Sequence, residues 1–318
     1  MAGEFELIER LRQATRQPRE DVRLDIGDDA AVLAVPPGHE LVAALDTMVE
    51  GTHFLPGTAP DALGWKLLAT NLSDLAAMGA QPAWAMLGLT LPRADAAWID
   101  GFARGFAQLA ARYRLALVGG DTTGGPLAMS VAIHGFVPAG AAITRHGAQV
   151  GDVVFVTGTL GDGAAGLSCA RALRQDAHAQ LLLERMRRPT PRVEAGLALR
   201  GVAHACIDVS DGLVQDLGHI CAASSVGAEL DAAALPLSPA LCASFDDAAA
   251  RRFALAGGDD YELCFCVAAA NADSVPVLLA ECGGATRIGR IVAGTGVRVR
   301  DLDGRWIDSL PSGWNHFA

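Results

Sequence analysis

The side chains best placed to do chemistry are aspartates. Asp28 and Asp29 follow Gly27, Asp46 closes a predicted strand, and Asp74 lies inside a predicted helix. Asp121 follows Gly119-Gly120, and Asp208 and Asp211 flank Ser210. Strand ends beside glycine are where α/β proteins turn sharply and seat ligands. Any single Asp-Gly pair is explained as well by a turn or a helix cap. The set carries the inference: carboxylates converging on one site repel an anionic ligand unless divalent cations neutralise them. An all-oxygen donor set favours Mg²⁺ over zinc or copper, and nucleotide phosphate is then the expected ligand. Asp74 sharpens the point, because Asn71-Leu72-Ser73-Asp74-Leu75-Ala76-Ala77-Met78-Gly79 surrounds it with apolar residues. A buried carboxylate there requires a metal or a cationic partner.

Three other patterns carry less. Gly161-Asp162-Gly163-Ala164-Ala165-Gly166 fits G-x-G-x-x-G after a strand over 153–157. The ribose-binding acid expected about 20 residues on is replaced by Leu181-Leu182-Leu183-Glu184-Arg185, which reads as helix. What survives is a narrower expectation, that this helix N-terminus turns its amides to phosphate. Gly257-Gly258-Asp259-Asp260-Tyr261 resembles the diguanylate-cyclase signature in a chain that otherwise lacks that domain. The seven cysteines all follow residue 168, are odd in number and form no C-x-x-C pair. They read as reduced, mostly buried thiols, with Cys264 and Cys266 sharing one strand face and lacking the further ligands zinc needs.

The elements that must position these residues alternate between helix and strand. Helix is predicted over 4–15 and strand over 38–48, ending in Asp46. Pro60-Asp61 opens a long helix through Leu67, Leu68, Leu72 and Leu75 that stops at Gly79. A strand over 84–91, a helix over 95–113, a short strand over 115–118 broken by Gly119-Gly120-Asp121 and a strand over 127–137 follow. A connector, Pro138 to Ala142, precedes a second half with strands over 153–157, 203–207, 262–267, 286–292 and 297–300. Helices follow Gly212 and span 272–282. At 318 residues, 51% hydrophobic and 19% charged, the chain suits two α/β domains, 1–140 and 148–318. A formal charge of −11 without any Lys/Arg run disfavours nucleic acid. Apolar stretches too short to span a bilayer and an N-terminus without a leader pattern predict a soluble, cytoplasmic protein.

Taken in order, five motifs resemble the thiamine-monophosphate kinase family: Gly27 to Ala31, Asn71 to Pro82, Gly119 to Thr123, Asp208 to Leu213 and Gly257 to Leu263. The N-L-S-D-L-A-A-M-G block belongs to the wider superfamily of aminoimidazole ribonucleotide synthetase. Gly3-Glu4-Phe5 and Gly313-Trp314-Asn315-His316-Phe317 look like the kinase itself. The resemblance implies a two-domain, mixed α/β (α+β) fold of the aminoimidazole ribonucleotide synthetase type. It implies a homodimer whose N-terminal halves form a barrel across the two-fold axis. It implies several Mg²⁺ ions on Asp29, Asp46, Asp74, Asp121, Asp208 and Asp211. ATP would meet Gly120, Asp121, Arg145 and Ser210, and thiamine monophosphate would meet His53, Asp259 and Trp314. A K⁺ requirement is left open.

Metals and one arginine suffice for in-line phosphoryl transfer, and an acceptor phosphate that is already ionised needs no general base. By the residues alone, His53 is a turn histidine, Arg145 a solvated linker residue, and Trp314 equally a thiazolium stacking partner or a core residue. Two departures stand out. Ala44-Leu45 replace a hydroxyl pair before Asp46, and Asp259 stands where the family often has Glu. Aminoimidazole ribonucleotide synthetase is the runner-up enzyme, and a non-catalytic sensor of thiamine diphosphate or ATP is the reading from a different class.

Overall fold

The computed structural model describes residues 3–310, 313 and 314; Asn315, His316 and Phe317 of the C-terminal motif lie outside them. The chain divides into two compact units. One comprises 1–75 and 80–140, and the other 76–79 and 141–318.

The first unit runs α1 (Glu4–Thr15), β1 (Val22–Leu24), β2 (Val32–Leu33), β3 (His39–Val49), α2 (Pro60–Ala77), β4 (Gln81–Leu91), α3 (Ala96–Tyr113), β5 (Ala116–Gly124) and β6 (Ala128–Pro138). Its sheet has the order β3-β6-β4-β5, with β4 and β5 parallel and the other pairs antiparallel. Helix α2 is the centre of the unit, with Leu63, Leu67, Leu68, Leu72 and Leu75 all essentially inaccessible. It crosses α3 at van der Waals range because both helices use glycine there. A Cβ on Gly64 would lie 2.1 Å from the Phe102 carbonyl oxygen, and one on Gly105 only 1.8 Å from that of Asp61. Asp95 caps α3 by accepting the Trp98 amide, as its place before the helix suggests, a contact worth about 1 kcal/mol.

Two strand predictions are corrected here. Strand β3 continues beyond Asp46 to Val49, so Asp46 lies within it. Strand β5 is not broken by its glycines but runs through Gly119-Gly120-Asp121 to Gly124. Gly120 has φ +148, and a Cβ there would sit 1.9 Å from the Leu87 carbonyl oxygen, so glycine lets the strand keep pairing with β4.

The second unit runs β7 (Val153–Thr157), α4 (Asp162–Arg171), α5 (Ala177–Arg187), α6 (Val193–Leu199), β8 (Ala203–Val209), α7 (Leu213–Ser224), β9 (Gly227–Asp231), α8 (Pro239–Ser244), α9 (Asp247–Ala256), β10 (Glu262–Val267), α10 (Val275–Leu278), β11 (Ala285–Val292) and β12 (Gly296–Arg300). Its six-stranded sheet, ordered β12-β9-β11-β7-β10-β8, is antiparallel except for β12 on β9. One face packs on α7 through Val154, Val156, Ile207, Leu217 and Ile220, with Cys264 and Cys266 in the same cluster. Burial pushes both of those thiols far up, so they behave as small apolar core residues. The single helix predicted over 272–282 is instead a short α10 flanked by 3₁₀ turns. Pro276 lies in its first turn, and Gly283, at φ +97, ends the 3₁₀ turn that follows it.

Candidate active site

The second unit gathers five of the expected site residues around one loop cluster. Strand β8 carries Asp208, nearly buried, in its last turn of chain, and Ser210, Asp211 and Gly212 lead into α7. The amides of Ser210, Asp211 and Gly212 all donate to one oxygen, Oδ2 of Asp216, at 3.0, 3.1 and 3.0 Å. Asp216 is itself 2% exposed. Burial, then the charge of Asp208, pushes its carboxyl up to about 7, against the pull of the Asp211 and Gly212 amides. The sequence analysis passed over Asp216, yet it shapes the turn that presents Asp208 and Asp211.

The segment 257–261 is stitched to the same turn. The Asp259 amide donates to the Ser210 carbonyl at 2.9 Å, and the Tyr261 amide to that of Val209 at 2.9 Å. Asp259 and Tyr261 both have positive φ, +67 and +53, a strained conformation for non-glycine residues that this bracing sustains. The Tyr261 hydroxyl donates to Asp259 Oδ1 at 2.8 Å, which orients the expected substrate contact. Trp314 joins through its backbone: its amide donates to the Asp211 carbonyl at 3.0 Å, and Gln215 Nε2 donates to both Asp211 Oδ2 and the Trp314 carbonyl. Trp314 is 48% exposed.

Between Asp259 and Tyr261, Asp260 turns inward. Its oxygens accept the Gly161 amide at 2.6 Å and the Gly163 amide at 3.0 Å. That corrects the expectation for the glycine-rich turn, since a protein carboxylate already occupies the amides at the start of α4. Burial pushes the Asp260 carboxyl up to about 8 despite those two donors, and Asp162 adds to the rise. Behind this loop, the fully buried Glu262 accepts Nε and an Nη of Arg192 at 2.6 Å each, an Nη of Arg185 at 2.9 Å and the Thr157 hydroxyl at 2.7 Å. Arg145 lies on an exposed loop held at its base by Ser224. The Ser224 hydroxyl donates to the Arg145 carbonyl and accepts the amides of Gly147 and Ala148.

The first unit arranges its residues more openly. Asp29 and Asp121 are exposed, and Asp46 and Asp74 are half-buried, so Asp74 is less enclosed than its apolar neighbours suggest. Asn71 links two of the relevant elements: its Oδ1 accepts the Asp46 amide at 3.1 Å, and its Nδ2 donates to the Leu67 carbonyl. His53 sits in the turn after β3, where its Nδ1 accepts the Val49 amide at 3.0 Å and its carbonyl accepts Lys66 Nζ at 3.4 Å. Asp46 and Asp121, by contrast, are not brought together. They stand on β3 and β5, opposite edges of a four-stranded sheet, and at about 4.8 Å per strand that is about 14 Å.

The donor set fits Mg²⁺. Asp29, Asp46, Asp74, Asp121, Asp208 and Asp211 offer only hard oxygens, and after burial, the largest cause, the charges of Asp208 and Asp211 add to the rise of the Asp216 carboxyl. Among the described residues no three His, Cys, Asp or Glu side chains form a metal cluster. Mg²⁺ is commonly held by one or two carboxylates, with substrate phosphates and water completing the octahedron.

Comparison with known proteins locates this arrangement. The model for AIR synthase related protein, N-terminal domain, matches residues 27–137, and that for the C-terminal domain matches residues 149–302. The chain is 48% identical to the thiamine-monophosphate kinase of Escherichia coli (strain K12), over 99% of this chain and 98% of that one. It is 45% identical to the Haemophilus influenzae enzyme of the same name, with the same coverage. Among solved structures, thiamine-monophosphate kinase from Stenotrophomonas maltophilia K279a superposes with a TM-score of 0.89 at 48% identity, covering 96% of this chain and 98% of its own. AaThiL complexed with AMPPCP and TMP superposes with a TM-score of 0.79 at 33% identity, covering 99% and 97%. With both domain models matched and near half of the residues identical end to end, the chain belongs to the thiamine-monophosphate kinase family of AIR synthase related proteins.

Proposed function

We propose that this protein is an ATP-dependent kinase that phosphorylates thiamine monophosphate to thiamine diphosphate, the last step in making that cofactor. The observation that carries the reading is 48% identity over 99% of the chain to a thiamine-monophosphate kinase. A relative solved with AMPPCP and TMP supports the choice of substrates.

In this reading Asp29, Asp46, Asp74, Asp121, Asp208 and Asp211 hold magnesium, and Gly120, Asp121, Arg145 and Ser210 meet ATP. His53, Asp259 and Trp314 meet thiamine monophosphate. Mg²⁺ bound there would neutralise the phosphates and the charge that develops as the phosphoryl group moves. The chain's own residues align the partners. Trp314 offers an exposed indole face to a cationic thiazolium ring. The braced Ser210–Gly212 turn and Arg145 fix the donor. An oxygen of the acceptor phosphate attacks the γ-phosphorus in line; that P–O bond forms as the β,γ-bridging bond breaks, and ADP leaves. The acceptor oxygen is already ionised, so no side chain removes a proton. Asp259 is one methylene shorter than Glu, and the Tyr261 hydroxyl steadies it.

The first unit serves ATP, magnesium and dimerisation, and the protein works in the cytoplasm as a homodimer. Exposed Leu41 and Leu45, 46% and 64% accessible, alternate along edge strand β3 beside Val49. They form the apolar strip that a second copy would cover to close a barrel. The exposed free thiol of Cys242 suits a reducing compartment.

The test is to incubate purified protein with ATP, Mg²⁺ and thiamine monophosphate, following thiamine diphosphate by chromatography, with Asp74→Asn alongside. Product from the unmutated chain, with a rate at least about 100-fold lower in the variant, is the expected result. An inactive unmutated chain that still binds Mg²⁺-ATP sinks the kinase reading in favour of an aminoimidazole substrate or a sensor.

A further inference from the structure

Two consecutive residues in the first turn of α7 act on the same stretch of chain in different ways. Asp216 collects the amides of Ser210, Asp211 and Gly212. Gln215, one step and about 100° round the helix, uses its side-chain amide instead. Its Nε2 donates to Asp211 Oδ2 at 3.2 Å and to the Trp314 carbonyl, 99 residues away, at 3.1 Å. A carboxylate and a carbonyl only accept, so the nitrogen end of the amide must face both, and its two N–H groups match the two acceptors.

The end of the chain needs such bonds. Ile307 and Leu310 pack against the core of the second unit, but Gly313 and Trp314 lie in neither helix nor strand. The Trp314 amide donates to the Asp211 carbonyl at 3.0 Å. With Gln215 on its carbonyl, both main-chain polar groups of Trp314 are tied to Asp211 and Gln215. Gly313 is what allows the approach. A Cβ there would lie 2.6 Å from the Asp211 carbonyl oxygen and 2.7 Å from Gln215 Oε1, closer than a side-chain carbon can come to backbone. Any larger residue pushes the segment away from the turn. A half-exposed tryptophan whose backbone is already fixed loses less conformational entropy when a ligand stacks on it.

We propose that Gln215 and Gly313 are positioning residues of the acceptor site. Together they clip the backbone of Trp314 to Asp211, so that its indole is in place to stack on the ring of thiamine monophosphate. The proposal rests on the kinase reading above and on Trp314 as an acceptor contact.

Full-length protein, unmutated and as Gln215→Met, Gly313→Ala, Trp314→Ala and Gln215→Met/Trp314→Ala, is assayed for KM of thiamine monophosphate and of ATP separately. Labelling with 5-fluorotryptophan adds a reading independent of turnover. It gives one ¹⁹F resonance for each of the five tryptophans, and the one missing from Trp314→Ala is that of Trp314. Gln215→Met and Gly313→Ala are each expected to raise KM for thiamine monophosphate about fivefold, the scale of one lost hydrogen bond, with KM for ATP changed less than about twofold. Gln215→Met adds nothing in the Trp314→Ala background. The Trp314 resonance is displaced in both single variants, and in the unmutated chain it moves when thiamine monophosphate is added. An active unmutated enzyme in which Gln215→Met changes both KM values equally, or neither, overturns the role of Gln215. So does a Gln215→Met effect that persists in full without the indole, or a Trp314 resonance that neither single variant moves. Should Gln215→Met not fold, Gly313→Ala, which lies outside every helix and strand, is held to the same outcomes. An inactive unmutated chain overturns the kinase reading, and this role with it.

Discussion

The two units hold their acidic residues in opposite ways. In the second, the loops 161–163, 208–212 and 257–261 are tied by inward-facing carboxylates: Asp216 gathers three consecutive amides, Asp260 two more, and Glu262 binds two arginines behind them. In the first, Asp29 and Asp121 project from exposed chain, and Asp46 and Asp121 stand on opposite sheet edges. The contrast separates carboxylates that build a site from those that serve it. The builders are buried and spend their oxygens on the protein, while Asp29 and Asp121 of the first unit remain exposed. Stability should therefore depend on the first kind, and activity on both.

The largest effect should come from Glu262, which is fully buried against Arg192 and Arg185. Glu262→Gln keeps the shape but removes the buried negative charge that Arg185 and Arg192 share. Removing one partner of a buried pair costs about 3–5 kcal/mol. A urea titration should show the unfolding midpoint of the variant falling accordingly. A change of less than about 1 kcal/mol would place the strength of this unit elsewhere, and the contrast between the units would lose its main support.

Asp260 gives the next effect, and it is one of pH. Its carboxyl, ordinarily near 3.8, is pushed to about 8 by burial, so the folded chain keeps a proton that the unfolded chain releases. Its contribution to stability is complete below about pH 4, is lost progressively as pH rises, and levels off above about pH 8. Asp260→Asn has no proton to lose. The difference in unfolding free energy between unmutated chain and variant should therefore narrow across that window, measured by urea titrations at fixed ionic strength. A difference independent of pH would mean that Asp260 is ionised in the folded protein.

Much of this was legible in the sequence, and the failures have physical causes. Pro60, Asp61 and Gly79 bracket α2 because each residue acts locally, and the leucines between them report one buried face. The run through Gly119-Gly120 was misread because glycine breaks a strand in isolation but allows close approach when another strand is alongside. The hairpin β1–β2 and strand β9 gave too few residues to show a period. Among the acids, the motifs flagged those proposed to meet ligands. Asp216, Asp260 and Glu262 lay in or beside the same motifs, but nothing in a D-D or Y-E pair says which carboxylate turns inward. That depends on long-range contacts, such as Asp260 with a glycine turn 97 and 99 residues earlier. Ser224 and Asn71 were missed for the same reason, since their partners are backbone atoms of distant segments.

The smallest effect on the free protein should come from Asp29→Asn and Asp121→Asn. Both side chains are exposed, so neither substitution opens a cavity or strands a buried group, and unfolding free energies should stay within about 0.5 kcal/mol of the unmutated chain. The difference should surface only with ligand. A ligand that binds the folded state alone raises stability by RT ln(1 + [L]/Kd), about 2.7 kcal/mol at 100 times Kd. Thermal unfolding with Mg²⁺-AMPPCP should therefore raise the midpoint of the unmutated chain, and raise that of each variant less, in step with its loss of thiamine diphosphate formation. Were the variants stabilised as much as the unmutated chain, Asp29 and Asp121 would be solvated surface residues, and the sites that serve the ligand would lie in the braced unit alone.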